Sequence, residues 1–323
     1  MKPIQYRRLG CSGLHVSVYG LGTNAFGGRA DEATSTALIH HALDRGVNLI
    51  DTSNRSPATP GVRMLSETII GTALKGRRDA TIIATKVGKR TGEGPNDANC
   101  SRGHIMREVE RSLRRLQTDY IDLYQIHWFD PATPLEETLR ALDDLVRAGK
   151  VRYAGCSNYA AWQLCKALWV SDRNGWVRYD AVQPEYSPAD RRVERELIPL
   201  CLDEGVGVLA YYPLAGGVLT GKYRSDTDPP HDSRAKTQPG FAARLTARTL
   251  ALAEEMRRLA AETECTVGQL TLAWVMNRPG ITSALVGATT VAQQEENLAA
   301  VDLTAPPDAM RRITEMSNAF VAF

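Results

Sequence analysis

From residue 18 onward, apolar and amphipathic stretches alternate along the chain. VSVYGLG is a short apolar run ending in Gly, and DEATSTALIHHALDRG after it is amphipathic, acidic at its start and closed by Gly46. The same pair recurs. VNLIDTS, TIIATKVG, YIDLYQIHWF, VRYAGCSN, YDAVQPEYS, VGVLAYYPL and ITSALVGATT read as strands. LSETIIGTALKG, RGHIMREVERSLRRLQ, PLEETLRALDDLVRAGK, YAAWQLCKALWVSD, VERELIPLCLDEG and VAQQEENLAAV read as the helices between them. After the seventh strand comes a Gly/Pro/Asp-rich segment, roughly Ala215 to Pro239, and then two helices, TARTLALAEEMRRLAAET and TVGQLTLAWVMNR. Ahead of the rhythm, IQYRRLG and LHVSVYG flank CSG and predict a β-hairpin over residues 1–17.

Counted from Val18, there are eight strand–helix units. Such alternation implies a parallel sheet covered by helices. Eight units suit a closed (β/α)8 barrel, with the hairpin plugging its N-terminal end. The 323 residues accommodate one barrel with insertions or two ordinary domains. An open doubly wound sheet is the rival, and GLGTNA, Gly20 to Ala25, matches the dinucleotide pattern GxGxxA of that fold.

Composition narrows the function classes. Thirty-nine Lys and Arg stand against 37 Asp and Glu, a formal net charge of +2. That balance argues against a nucleic-acid-binding role built on phosphate contacts. The N-terminus lacks an apolar run of signal-peptide length, and no stretch is long and apolar enough for a membrane span, so a cytoplasmic protein is expected. The six cysteines form no CxxC and read as free thiols; the six histidines have no metal-ligand spacing, so no metal is expected.

In a (β/α)8 barrel, reactive groups sit at the C-terminal ends of the strands. Here the second strand ends in Asp51, the third in Lys86 and the fourth in His127. The fifth ends in Ser157-Asn158, the sixth in Gln183 and the seventh in Tyr211, and the eighth runs into Gly287 and Thr289. Singly, Asp51 could cap a turn, Lys86 could be a solvated strand end and His127 a core histidine. Together, on one rim, they suit acid–base chemistry: the Asp holds the ammonium, and the His orients or polarises a carbonyl.

GLGT, NLIDTS, LSETIIGTAL, IIATKVG, YIDLYQIHW, LVRAGKVRYAGCSNY, VQPEYS, YYPLAGGVLTGKY and LVGATTVAQQEENL, in that order and spacing, resemble the aldo-keto reductase superfamily. The likeness is to the branch containing the potassium-channel β subunits and runs from about residue 8 to residue 300. It implies a single (β/α)8 barrel over 1–323 that binds NADP(H) without a Rossmann domain. Thr23 and Asn24 of GLGTNA would then line the nicotinamide end. The resemblance implies reduction of an aldehyde or ketone by hydride transfer, with a tetrad of Asp, Tyr, Lys and His.

Asp51, Lys86 and His127 match three members of that tetrad. The Tyr position, five residues after the Asp, holds Ser56, and no Tyr lies between Asp51 and Glu67. A serine hydroxyl is a far weaker acid than a phenol, whose ordinary pKa is about 10. Loss of a positioned general acid costs on the order of 10²–10⁴-fold in rate. Atypical proton donation is therefore expected: from His127 if protonated, with Lys86 stabilising the alkoxide, or from a water held by Ser56 and Lys86. The alternative is a weak or inactive NADP(H)-binding regulatory or sensor protein of the same fold.

By the same resemblance, Ser157, Asn158 and Gln183 bond the nicotinamide carboxamide, and Tyr211 stacks on its ring. Pro213, Leu214 and Gly216 open the cofactor-covering loop, residues 215–240 in the main. Gly287 and Thr289 lead to a helix N-terminus suited to phosphate. Gln293, Glu296 and Asn297 embrace the adenosine, while Lys222 and Arg234 supply cations for the 2′-phosphate. Trp128 walls the pocket of a small-molecule carbonyl substrate; Tyr159 and Trp162 are expected to be packing residues of the fifth helix and not ligand contacts. Residues 301–323 form a C-terminal tail.

Overall fold

IIATKV carries aliphatic residues on both faces of a strand, so the strand it forms is expected to be covered on both sides. In the computed structural model all six of its residues are buried. The structure describes residues 3–56, 64–224, 234–237 and 240–321, the side chains at 234 and 237 excepted. Its elements are β1 (Tyr6–Arg8), β2 (His15–Ser17), β3 (Tyr19–Gly22), α1 (Glu32–Asp44), β4 (Leu49–Asp51) and α2 (Leu65–Ala73). Next come β5 (Ile82–Val87), α3 (Arg102–Leu116), β6 (Ile121–Ile126), α4 (Leu135–Arg147), β7 (Val151–Ser157) and α5 (Ala161–Asn174). They are followed by β8 (Tyr179–Gln183), α6 (Leu197–Glu204), β9 (Gly207–Tyr211), α7 (Arg234–Thr237), α8 (Ala247–Glu262) and α9 (Val267–Met276). β10 (Ile281–Val286), α10 (Val291–Leu298) and α11 (Pro307–Met316) complete the described elements.

Eight parallel strands close into a barrel in the order β10-β3-β4-β5-β6-β7-β8-β9, ringed by helices. This is a (β/α)8 barrel, and the open doubly wound sheet is excluded. Local chemistry sets the helix starts. Asp31 accepts the amide of Thr34 at 2.8 Å, and Ser101, Thr246, Thr266 and Thr290 cap α3, α8, α9 and α10 in the same manner.

β1 and β2 pair antiparallel, Tyr6 opposite Ser17. Leu9 and Val16 of this hairpin join Leu49, Ile82, Ala84, Leu123, Ala181, Leu209 and Leu285 in one apolar cluster inside the barrel. The hairpin thus plugs the barrel at the end where strands begin, and Cys11 N donates to Gly205 O just before β9. Gly10, at φ +59°, makes the approach possible: a Cβ there would lie 2.3 Å from Gly205 O. Truncating Leu9 to Ala would cost about 2–5 kcal/mol, the usual range for a buried leucine. The larger apolar layer lies between the barrel and its helices.

The segment read as a tail is structured as far as it is described. Ala309 and Ile313, four apart and both buried, give α11 an inward stripe. Arg191, itself buried, donates to Thr314 O and Ser317 Oγ and ties this helix to the loop after β8. No helix among the described residues is long and apolar enough to cross a membrane.

Candidate active site

Because all eight strands run the same way, their C-terminal ends share one rim, and a cleft of about 1320 Å³ opens there. A site for one drug-sized ligand occupies about 300–1,000 Å³. This one has room for an extended dinucleotide and a second small molecule. Every residue singled out above for catalysis, cofactor or substrate lines the cleft except Arg234, whose side chain lies outside the described residues. Segment 57–63, which follows Ser56, also lies outside them.

Asp51 ends β4, Lys86 stands one residue before the end of the neighbouring β5, and the two face each other across the floor. Lys86 Nζ is 2.7 Å from both carboxylate oxygens of Asp51 and 2.8 Å from Thr52 O. An ammonium has three N–H groups, so all three have acceptors. Gln183 Nε2 donates to Asp51 Oδ1 at 2.8 Å, and Gln125 Nε2 approaches the same oxygen at 3.4 Å. The Asp51 main chain is held too: Thr23 N and Oγ1 both donate to its carbonyl, at 3.0 and 2.9 Å. A hydroxyl chain continues outward from Thr23 Oγ1 through Ser66 Oγ to Thr52 Oγ1, each step 2.9 Å.

His127 follows β6, and its amide donates to Val87 O at 2.8 Å. Its Nδ1 is buried without a partner among the described residues, so Nε2 is the ring nitrogen able to reach a cleft ligand. Burial, then the charges of Lys86 and Lys89, push its pKa down to about 2. The ring is neutral at ordinary pH. A protonated His127 as general acid, one of the routes expected from sequence, therefore has no support here. A water donated to by Lys86 would likewise need one of its three existing bonds to break. Ser56 Oγ lies 2.9 Å from Ser53 Oγ.

Ser157, Asn158 and Tyr211 form a bonded rim. Asn158, in the left-handed region at φ +59°, donates to His127 O at 3.0 Å and Ser157 Oγ at 2.9 Å, and accepts Tyr211 OH at 2.8 Å. Burial and the nearby Glu185 raise the Tyr211 pKa, so its phenol remains a donor. On the far side, Gly216 and Gly217 have φ of +71° and +113° and let the main chain turn against the cleft. Thr289 N and Oγ1 both donate to Gln293 Oε1 where α10 begins.

Several lining residues were not picked out from sequence. Arg29, Arg55, Lys89 and Arg90 line the cleft, as do Tyr212 and the ion pair Glu185–Arg244. Gln125 had a readable signal: it lies two positions after the inward-facing Leu123 on β6 and so shares that residue's face. The loop cations had none, since their convergence depends on tertiary placement. Trp128 is half exposed, with Lys89 Nζ 5.5 Å from its ring centre. Tyr159 is buried against Phe129 and Tyr179, as expected of a packing residue. Trp162 departs from that expectation: it touches Phe129 but is 60% exposed, because it lies on the outer face of α5. Among the described residues no group of three His, Cys, Asp or Glu could hold a metal.

Residues 19–318 match the Aldo/keto reductase family. The chain is 36% identical over 320 residues to the uncharacterized oxidoreductase YrpG of Bacillus subtilis, covering 97% of this chain and 96% of that one. It is 36% identical over 308 residues to a probable voltage-gated potassium channel subunit beta of Arabidopsis thaliana, with 93% and 92% covered. With versiconal hemiacetal acetate reductase of Aspergillus parasiticus it shares 32% over 338 aligned positions, covering 97% and 96%.

Proposed function

The chain belongs to the aldo/keto reductase family, whose members generally use NAD(P)H and include relatives named as oxidoreductases, and on that premise we propose that it reduces an aldehyde or ketone with hydride from NADPH. The observation that carries the reading is the Asp51–Lys86 pair closed beneath His127 and the Ser157–Asn158–Tyr211 rim, all on one cleft. The cleft fits the cofactor chemically. Its amide and hydroxyl rim suits a carboxamide, its Tyr211 ring a flat heterocycle, and its glycines and the start of α10 a pyrophosphate. A bound nicotinamide dinucleotide supplies the hydride; everything else falls to the protein.

In this reading, neutral His127 donates from Nε2 to the carbonyl oxygen and polarises it. Lys86, fixed by Asp51, contributes its field to the oxyanion that develops as hydride arrives. The proton then comes from water, because the tyrosine position holds Ser56 and His127 is not an imidazolium. Turnover is accordingly slower than with a phenol donor. Preference for NADPH over NADH is assigned to Lys222 and Arg234 on the loop after β9. The protein acts on a small molecule, with no nucleic acid and no membrane partner.

The serine also favours a second reading, a cofactor-binding regulatory protein with weak or no turnover. NADPH absorbance followed against a panel of aldehydes, ketones and keto-sugars separates the two. Oxidation by the unmodified chain, enhanced in Ser56→Tyr, supports the reductase. Tight NADPH binding with no oxidation in either protein would replace it with the regulator.

A further inference from the structure

Three cations gather at one end of the cleft, and among the described residues none of them is in a salt bridge with a carboxylate. Arg55 follows β4; Lys89 and Arg90 follow β5. All three line the cleft beside Trp128 and His127. Arg55 Nη1 donates to Arg90 O, and Arg90 Nη1 donates to Gly92 O at 3.2 Å. These partners are main-chain carbonyls, which satisfy N–H groups without cancelling charge. Lys89 rests over the Trp128 ring. Among the described residues no Asp or Glu pairs with Arg55, Lys89 or Arg90. The intervening 57–63 stretch, PATPGVR, contains no acidic residue either. The other lining carboxylates are committed or remote: Asp51 to Lys86, Glu185 to Arg244, and Glu296 on α10.

The barrel's closed order separates this cluster from the cofactor's phosphates. The loops suited to a pyrophosphate follow β9 and β10; β5, which Lys89 and Arg90 follow, stands four strands from β9 and three from β10, and β4, which Arg55 follows, stands two from β10. Lys89 is close enough to His127 for its charge to act on the ring, Arg55 acts on Lys89 in turn, and Arg55 is bonded to the main chain of Arg90. Like charges held together without anions repel, and the Lys89 pKa is lowered by burial and then by Lys86 and Arg55. An anion arriving there would relieve that repulsion.

We infer that the substrate is a small carbonyl compound carrying an anionic group, phosphate or carboxylate, that Arg55, Lys89 and Arg90 bind while His127 faces the carbonyl. The substrate class rests on the reductase reading; the anion site does not.

The test compares matched pairs in NADPH oxidation by the whole protein: glyceraldehyde 3-phosphate against glyceraldehyde, and succinic semialdehyde against butanal. The anionic member of at least one pair is expected to have the higher kcat/KM by about tenfold or more, the scale of a hydrogen bond to a charged group. Which pair shows it separates phosphate from carboxylate. Lys89→Met and Arg55→Met should each reduce that ratio about tenfold, and Lys89→Arg should retain it. Lys222→Ala, at the cofactor end, should lower both members of a pair alike. A wild-type ratio of one or below in both pairs, or a ratio unmoved in both methionine variants, overturns the inference. If no carbonyl is reduced, the reductase reading fails and binding decides the anion site alone. Calorimetric titration of the NADPH-loaded protein with 2-phosphoglycolate and with succinate should then show binding of one of them that Lys89→Met weakens about tenfold. Absence of binding by both, or binding indifferent to Lys89, overturns it. If NADPH does not bind, the same titrations on the free protein decide, by whether Lys89→Met or Lys222→Ala is the variant that weakens them.

Discussion

Lys86 Nζ sits 2.7 Å from each carboxylate oxygen of Asp51, and both side chains are almost wholly shielded from solvent. Removing one partner strands the other as a buried charge, which costs about 3–5 kcal/mol. Lys86→Met should therefore lower stability by about that amount, and Asp51→Asn/Lys86→Met should recover a large part of the loss. Chemical denaturation of the wild type, the single variant and the double variant measures it. A double variant as unstable as Lys86→Met would mean that the loss comes from packing around the lysine stem and not from charge.

His127 supplies a pH dependence whose sign can be worked out. Its folded pKa is pushed down to about 2, while an unfolded histidine titrates near 6.5. Below about pH 6.5 the unfolded chain takes up a proton there that the folded one refuses, so stability is lost as pH falls. At pH 5 the difference reaches about 2 kcal/mol for this one group. His127→Gln, which cannot protonate, should show a shallower loss of stability between pH 7 and pH 5 than the wild type. Parallel curves would mean that the imidazole is protonated in the fold, and the imidazolium route to proton donation would reopen.

The barrel and the ends of its strands were readable because two periodicities alternate eight times and chemistry falls where each apolar run stops. Asp51, Lys86 and His127 each close such a run. Glu67 and Glu108 were not readable. Both lie in helices whose charges look solvent-facing, yet both are fully buried. Glu67 accepts Thr85 Oγ1 at 2.6 Å and Arg115 Nε at 2.7 Å, which is how it is tolerated inside. A burial that depends on a partner from another element leaves no mark in local periodicity. The cluster of Arg55, Lys89 and Arg90 escaped for the same reason, since it is made by loops from two strands. Arg7 is a third case: an arginine in a short hairpin strand, it reaches Met276 O and Ile281 O at the far end of the chain.

Cofactor preference can be tested at Lys222 and Arg234. Opposed to a 2′-phosphate, each contributes about 1.5–3 kcal/mol of charged hydrogen bonding, roughly 10- to 150-fold in affinity. Lys222→Ala and Arg234→Ala should weaken NADPH binding by about tenfold or more and change NADH binding by less than threefold. Quenching of tryptophan fluorescence reads both. Equal weakening of the two cofactors would remove the residue concerned from 2′-phosphate recognition.

Glu108 reaches the site through Asn54. Asn54 Nδ2 donates to Glu108 Oε2 at 3.1 Å, while Asn54 N donates to Lys86 O at 3.2 Å. The loop leading to Ser56 is thus fastened at one point to the outside of the barrel and at another to the strand carrying the lysine. Asn54 Oδ1 already has no partner among the described residues, so the side chain's placement depends on its amide bond to Glu108. Glu108→Leu removes that acceptor and leaves a second buried polar group unpaired, at about 1–3 kcal/mol. The other partners of Glu108, Arg111 at 2.7 Å and Arg107 at 3.9 Å, are 42% and 36% exposed and turn to water at small cost. The expected result is a Tm lower by roughly 1–5 °C, since an unfolding entropy of about 2.1 cal/mol/K per residue makes 1 kcal/mol worth about 1.5 °C in a chain of 323 residues. With it should come a loss of kcat/KM, measured well below Tm, that Glu108→Gln largely restores because Gln keeps an acceptor oxygen. A lower Tm with unchanged kcat/KM would make Glu108 a support of the fold alone and leave the Ser53–Ser56 turn held by its own hydroxyls.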